Sequence, residues 1–251
     1  MLRVLALIAG GFLIPTPARP LDGAFAHADP VYPLSSGATI VRSEHFVFED
    51  ASGAPAGFAI WRRREGPRGL QLERELRFRS PDEPGVEPGL FHVECLERTG
   101  SRLVQREIGS GGRVLLAELS RVANDLRAFD WGPCGQRQEI LSLDETAALP
   151  LYLAELVRAG RFASGRVGCF DPGSRAVVEL QATTSYATDG PTVRTTELRR
   201  ADGTLALELR FEGTDLLGFR LQDGGPWARR VEAETYAQVL GSGARPASTD
   251  R

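Results

Sequence analysis

The sequence predicts a mainly β protein: a strongly curved antiparallel meander, or half-barrel, with one short helix on its concave side. From about residue 43 onward, apolar and polar residues alternate with period two, as in half-buried strands. Turn signals rich in Gly, Pro and Asp separate the alternating segments at short intervals. One segment near residue 150 has helical spacing instead. A sandwich is the alternative architecture, and the half-barrel is preferred because its concave side would bury the helix.

The first 26 residues have the three parts of a secretory signal peptide. Met1-Leu2-Arg3 is basic, residues 4–14 carry no charge, and Ala24-Phe25-Ala26 resembles a cleavage site. A spanning helix needs about 20 apolar residues, and this apolar run ends earlier, at Pro15. We therefore expect cleavage after Ala26, with Ala18 or Ala24 as alternatives. The mature chain would be periplasmic or secreted and would have no transmembrane segment.

Composition predicts the boundaries of the folded part. Residues 27–42 are rich in Pro, Ser and Gly and are expected to form a flexible lead-in, and residues 241–251 a disordered tail. The intervening residues 43–240 can form one β domain, because all-β folds of that size are commonly single domains.

The clearest predicted strand covers residues 70–79, where Leu72, Leu76 and Phe78 share one face and polar residues occupy the other. Further strands are predicted at residues 57–62, 90–98, 102–108, 113–119 and 126–131. In the second half they fall at residues 165–170, 175–187, 192–199, 204–211, 216–222 and 227–240. Asp202-Gly203 marks a tight hairpin, and residues 171–174 and 109–112 mark two other turns.

One helix is predicted over residues 147–160. Pro150 is tolerated near a helix start, Gly160 ends the segment, and Asp144 or Ser142 would provide the N-cap. The apolar stripe of this helix consists of Leu149, Leu153, Leu156 and Val157.

These elements together resemble the periplasmic lipoprotein-carrier half-barrel superfamily and related uncharacterised exported β proteins. The resemblance covers roughly residues 43–240. It is carried by the long alternating strands, the Ala148-Leu149-Pro150-Leu151-Tyr152-Leu153 pattern midway, the strand at residues 165–170 and the Asp202-Gly203 hairpin. It implies a curved sheet that encloses an apolar cavity for acyl chains. No functional residue is carried over, because no family motif is matched.

Three cysteines, Cys95, Cys134 and Cys169, permit one disulfide in an oxidising compartment. We expect Cys134 to pair with Cys169, because Cys134 lies in an adaptable Gly-Pro-Cys-Gly loop. Cys95 alternates with apolar residues and is expected to be a buried thiol.

No catalytic, metal or cofactor constellation is evident. The three histidines, His27, His45 and His92, are scattered, and no G-x-S-x-G motif occurs. Clustered His, Cys and carboxylates, which a metal site needs, are also missing from the sequence pattern. The net charge is −3, so no basic patch for nucleic acid is indicated. The sequence therefore predicts a protein that is not an enzyme and that needs no cofactor.

The leading functional hypothesis is an exported, non-enzymatic β protein that binds or carries an apolar, lipid-like ligand in the concave face of its sheet. The alternative is a structural or protein-interaction domain of the cell envelope with a filled core and an envelope protein as partner. Both need the same alternation of apolar residues. The predicted ligand-binding residues are Phe58, Ile60, Leu72, Phe78, Phe91, Leu153 and Phe211.

Overall fold

The computed structural model describes most of the chain from residue 38 onward. The described residues are 38–50, 52–67, 69–78, 89–97, 100–108, 114–120, 125–132, 135–142, 147–187 and 192–242. The predicted signal peptide lies outside them.

The described residues form fourteen strands and two helices. The N-terminal arm consists of β1 (Thr39–Glu49), β2 (Pro55–Gly66), β3 (Gly69–Phe78), β4 (Gly89–Glu97), β5 (Gly100–Ile108), β6 (Val114–Ser120), β7 (Asp125–Gly132) and β8 (Gly135–Ser142). The C-terminal arm consists of β9 (Gly165–Asp171), β10 (Ala176–Tyr186), β11 (Val193–Arg200), β12 (Leu205–Glu212), β13 (Asp215–Arg220) and β14 (Trp227–Val231).

All fourteen strands belong to one antiparallel sheet, in the order β8-β7-β6-β5-β4-β3-β2-β1-β14-β13-β12-β11-β10-β9. Each arm is a meander, and the pairing of β1 with β14 joins the two arms, with His45 opposite Val231. The edge strands β8 and β9 are not paired with each other, so the sheet is open. The prediction of a mainly β antiparallel meander is confirmed.

Turn chemistry fixes the hairpins of the C-terminal arm. Between β11 and β12, Gly203 adopts φ +84° and its N–H donates to the Arg200 carbonyl at 2.9 Å. The Asp202 carboxylate accepts from the Thr204 N–H at 2.9 Å. Because a positive φ favours glycine, the Asp-Gly pair specifies this turn, as predicted.

Helix α1 (Pro150–Arg158) connects the two edge strands and packs on one face of the sheet, here termed the concave face. Pro150 lies in its first turn, and Leu153, Ala154 and Val157 enter the main core. Gly160, at φ +67°, ends the helix and donates to the Val157 carbonyl.

Aromatic side chains fill the centre of the concave face. The rings of Phe46 and Phe48 contact Phe219 edge-on, with centroid distances of 5.2 and 5.6 Å. Trp61 lies 5.0 Å from Phe219. These contacts bridge β1, β2 and β13, so the core joins the two arms at their shared border.

A second helix, α2 (Ala233–Ser242), corrects the prediction of a strand over residues 227–240. Its Tyr236 packs on Phe58 and Ile60, which alternate with the core-facing residues of β2 and therefore lie on the opposite, convex face. The predicted single helix is thus one of two in the described part of the chain.

Two boundaries and one further strand also differ from the predictions. Strand β1 begins at Thr39, inside the expected lead-in. Strand β8 was not predicted, and Ser142, an expected helix cap, is its last residue. The helix begins only at Pro150, and its N-cap position, Leu149, makes no side-chain cap.

Candidate functional site

A cavity of about 140 Å³, open on one side, lies on the concave face between the N-terminal part of α1 and the two arms of the sheet. We call it the concave cavity. Its apolar wall comes mainly from α1 and the C-terminal arm and includes Leu153, Phe170, Leu180, Leu198, Leu205 and Leu207. Its buried polar side chains come from β3, β4 and β5 and are Arg74, His92 and Gln105. The cavity is therefore amphipathic.

The three polar lining residues belong to a longer row of directly opposed residues, here called the polar row. Glu44 on β1 faces Trp61 on β2, and Trp61 faces Arg74 on β3. Arg74 faces His92 on β4, which in turn faces Gln105 on β5. Opposed residues in a sheet point to the same face. Each of the five strands thus contributes one side chain with a polar atom to a line across the concave face. All five side chains are buried.

Glu94, two residues beyond His92, binds the N-terminus of helix α1. Its two carboxylate oxygens accept from the N–H groups of Leu151 and Tyr152 at 2.7 and 2.8 Å. The first turn of a helix has free N–H donors and a partial positive charge, which a carboxylate stabilises. Since Leu149 provides no side-chain cap, the sheet supplies the cap that the local sequence lacks.

The C-terminal end of α1 is held in a complementary way. Arg194 on β11 donates to the carbonyls of Val157 and Arg158 at 2.8 and 2.6 Å. The guanidinium of Arg158 binds both carboxylate oxygens of Glu44 at 3.1 and 2.6 Å. Because a cation is favourable at this end of the helix dipole, the two ends of α1 are fixed by opposite charges from the sheet.

Arg74 is a buried cation beside the cavity. Its guanidinium carbon lies 5.8 Å from the centre of the Trp61 ring, within cation–π range. Burial lowers the pKa of Arg74 to about 10, while the nearby Glu94 carboxylate acts in the opposite direction. Arg74 therefore stays charged at neutral pH.

His92 bonds to Glu94 through Nε2 at 2.8 Å. Burial lowers the pKa of His92 below its ordinary value, more than the Glu94 carboxylate raises it, so the imidazole is neutral at neutral pH. Because a carboxylate only accepts hydrogen bonds, Nε2 carries the proton and Nδ1 presents a lone pair.

Cys169 also lines the cavity, but its chemistry is that of a structural thiol. It is buried and contacts the Phe170 carbonyl at 3.7 Å. Burial raises the pKa of this thiol, so it does not form the thiolate that a nucleophile needs. The predicted pairing with Cys134 is wrong for Cys169, which is a free cysteine. Cys134 itself lies outside the described residues, and Cys95 is buried as expected.

The predicted ligand-binding residues are distributed over both faces. Leu153 lines the concave cavity. Phe78 and Phe211 belong to the main core, and Leu72 packs with Leu96 and Leu151 beside α1.

The remaining three predicted ligand-binding residues do not reach the concave face. Phe58 and Ile60 lie on the convex face under helix α2. Phe91 packs against Val93 and Cys95, also on the convex face. The structure thus brings only Leu153 of the predicted set to the cavity, within the part of the chain that it describes.

Sequence reasoning missed the polar row because apolar residues alone were used to find a ligand site. His92 is one of the three histidines that are scattered in the sequence and indicate no catalytic site, yet it is buried. A usable signal was present: in β3, Arg74 interrupts the apolar face formed by Leu72, Leu76 and Phe78. In β4, His92 and Glu94 occupy successive positions of one face. A charged residue on an otherwise apolar strand face points to a buried partner.

Two further properties of the described residues concern metal binding and membrane spanning. No group of three or more His, Cys, Asp and Glu side chains is arranged to hold a metal ion there. Neither helix of that part is long and apolar enough to cross a membrane.

The fold belongs to the class of open, β-barrel-like antiparallel sheets. No protein-family model and no curated protein matches the chain. Among solved structures, the chain is similar to a beta-barrel-like protein of a domain of unknown function (DUF1849) from Brucella abortus. The similarity has a TM-score of 0.53 at 9% sequence identity and covers 76% of this chain and 94% of that one. At this identity the likeness concerns the fold alone.

Proposed function

We propose that the protein is an exported, non-enzymatic binding or carrier protein that takes an apolar, lipid-like ligand into the concave cavity. One observation carries the proposal: the cavity lies within the core, between α1 and both arms, and has an apolar wall and an open side. Concave, mainly apolar sites with a few placed polar groups are typical of small-molecule binding.

The size of the cavity limits how much of a ligand it holds. A cavity of about 150 Å³ accepts benzene in another protein, and the concave cavity, at about 140 Å³, is comparable. It would therefore hold a short chain or one end of a longer one. The rest would leave through the open side. Val178 and Leu221 are apolar lining residues that are partly exposed.

The chemistry of the cavity supports binding rather than catalysis. The thiol of Cys169 is protonated, and both oxygens of Glu94 are engaged by the N-terminus of α1. His92 donates to the same Glu94 carboxylate. These groups stabilise the fold as they stand.

A matched pair of variants tests the proposal. Val178 lines the cavity, whereas its neighbour Val177 is exposed on the other face of β10. We expect Val178→Trp to abolish binding of octan-1-ol, measured by isothermal titration calorimetry, because the indole fills the cavity. Val177→Trp should bind octan-1-ol as the unmodified protein does.

Native mass spectrometry with lipid extraction, on protein purified from its own periplasm, would identify the natural ligand. N-terminal sequencing of the same material should begin near His27 if the leader is removed. A protein that binds no octan-1-ol and carries no extracted lipid would instead support the alternative, a structural or interaction domain of the envelope. The aromatic packing around Phe219 is the observation that favours that alternative.

A further inference from the structure

Three neighbouring residues of the polar row each have a buried nitrogen without a hydrogen-bond partner. In the described part of the chain, the buried side-chain nitrogen and oxygen atoms in this state are Trp61 Nε1, Arg74 Nε and His92 Nδ1. They lie on β2, β3 and β4 at directly opposed positions. Unpartnered buried polar atoms are rare, and each costs stability. Their coincidence in one row requires an explanation.

The neighbouring carboxylate does not satisfy these atoms. Glu94 compensates the charge of Arg74 at a distance, but its oxygens already accept from Leu151, Tyr152 and His92. Arg74 and His92 both line the concave cavity. An acceptor for Arg74 can therefore be provided by an occupant of the cavity.

The charges around the cavity favour an anion as that occupant. The charged residues of its lining are Arg74, Arg200 and Asp171. Asp171 is already engaged, with Arg200 at 3.3 Å and the Gly173 N–H at 3.0 Å. Among the described residues, Arg74 is thus the cation of the lining that has no carboxylate within ion-pair distance, and its unpartnered Nε–H can donate to a single carboxylate.

We propose that the concave cavity binds alkyl carboxylates, with the carboxylate on the Arg74 guanidinium and the alkyl chain along the apolar wall. This inference rests on the proposed function and names the chemical class of its ligand. The planar guanidinium matches a carboxylate with two parallel hydrogen bonds. Trp61 supports the guanidinium from behind by ring contact. Neutral His92 offers a lone pair and not a donor, so the carboxylate is assigned to Arg74.

The experiment compares head groups on one chain length in the unmodified mature protein. Isothermal titration calorimetry would use sodium octanoate, octan-1-ol, octyl phosphate and sodium acetate. We expect octanoate to bind at least about tenfold more tightly than octan-1-ol, because a hydrogen bond to a charged partner is stronger than a neutral one. Octyl phosphate, whose charge exceeds that of one guanidinium, should bind more weakly than octanoate. Acetate, which lacks the chain, should show no measurable binding.

Variants locate the head group. Arg74→Gln should reduce the octanoate affinity to that of octan-1-ol and leave octan-1-ol binding unchanged. Arg74→Lys keeps the charge but loses the planar guanidinium, so the ratio of octanoate affinity to octan-1-ol affinity should be intermediate. Arg77→Gln, on the convex face of the same strand and paired there with Glu75 at 3.0 Å, is the matched control and should keep the full preference.

A second readout needs no variant. The carboxyl group of bound ¹³C-labelled octanoate should titrate at lower pH than free octanoate, because Arg74 stabilises the ionised form. Equal binding of octanoate and octan-1-ol, with an unshifted carboxyl titration, would overturn this inference while the proposed function stands. Absence of binding for both compounds would instead contradict the proposed function itself.

Discussion

The two arms of the sheet cover the same helix with walls of opposite character. On the N-terminal arm, the concave face buries ionisable or amide side chains at Glu44, Arg74, His92, Glu94 and Gln105. On the C-terminal arm, the fully buried side chains of the corresponding face are almost all apolar, and its charged residues, such as Arg194 and Arg200, are only partly buried. The buried apolar side chains are those of Leu180, Leu198, Leu207, Leu209 and Phe211. Thr196 is the buried polar residue there. The concave cavity lies where the two walls meet, which is why it is amphipathic.

The two walls contribute differently: the apolar wall stabilises the fold, and the polar wall positions helix α1. Burial of apolar side chains contributes about 1.5–3 kcal/mol each, so the C-terminal wall supplies net stability. Buried charges gain little overall, because desolvation offsets their attraction. The N-terminal wall instead fixes where helix α1 begins and which donors face the cavity.

The largest expected effect comes from a charge introduced into the apolar wall. Phe211→Arg should lower the free energy of unfolding by more than about 4 kcal/mol, because the new charge would be buried beside Arg158 and Arg194, whose guanidinium carbons lie 5.8 and 4.6 Å from the Phe211 ring. Urea unfolding measures the change. Arg210→Ala, on the exposed side of β12, should change stability by less than about 0.5 kcal/mol. Wild-type stability of the Phe211 variant would show that this wall is an open cavity surface.

The next largest effect comes from removing the Glu94 carboxylate from the polar wall. Glu94→Ala should cost about 3–5 kcal/mol, because it leaves Arg74 without a counter-charge and the N-terminus of α1 without its acceptor. Glu94→Gln keeps one acceptor and should cost about 1–3 kcal/mol. Urea unfolding again provides the measurement. Glu75→Gln, which breaks a half-exposed pair with Arg77, should cost less than about 1 kcal/mol.

A third prediction uses pH to distinguish the arms, because all three histidines precede the C-terminal arm. The pKa of His92 is lowered by burial, so the unfolded chain binds a proton more readily than the folded one. Stability is therefore complete above about pH 6.5, the ordinary value, and falls as the pH drops below it. The loss should be at most about 1.4 kcal/mol per pH unit for one proton.

Urea midpoints between pH 7.5 and 5 would measure this loss. His92→Gln should remove most of the pH dependence in that window. His45, whose pKa is also lowered but which is only partly buried, provides the control, and His45→Gln should remove less. An unchanged slope in the His92 variant would contradict the assignment of a neutral imidazole.

The smallest expected effect comes from replacing Arg74, which contrasts with the large effect of replacing Glu94 on the same wall. Arg74→Met should leave the free energy of unfolding within about 1 kcal/mol of wild type, because Arg74 Nε has no acceptor and the Glu94 carboxylate keeps its three other hydrogen-bond donors. Methionine also retains packing against Trp61. A loss of 3 kcal/mol or more in urea unfolding would show that Arg74 serves the fold, as the partner of Glu94, and not a ligand.

Local patterns made much of the C-terminal arm predictable. The Asp202-Gly203 turn and the period-two alternation lie within single hairpins, so nearby residues specify them. The secondary structure of residues 227–240 was harder to predict. In residues 227–240 apolar spacing alone did not distinguish strand from helix, and packing of Tyr236 on Phe58, far away in sequence, accompanies the helix.

The candidate site was less predictable for a related reason. The cap of α1 comes from Glu94, 57 residues earlier, whereas sequence reasoning looked for a cap among the residues just before the helix. The polar row likewise depends on the register of five strands, and a shift of one residue in any of them would move its member to the other face. Period-two alternation gives the faces of each strand but not the register between strands.

The adjacency of β1 and β14 has a consequence for how the chain folds. Every other neighbouring pair in the sheet joins consecutive strands, so each arm can form from local hairpins before the arms meet. The β1–β14 pair brings together residues as far apart in sequence as His45 and Val231. Because closing so long a loop costs entropy, we expect this pair to form late in folding. Since the start of β1 and the end of β14 lie at the same end of the sheet, a circular permutant that begins at α1 would keep every strand neighbour. In such a chain β14 and β1 would follow each other in sequence, with α2 between them, so their pairing would close a much shorter loop.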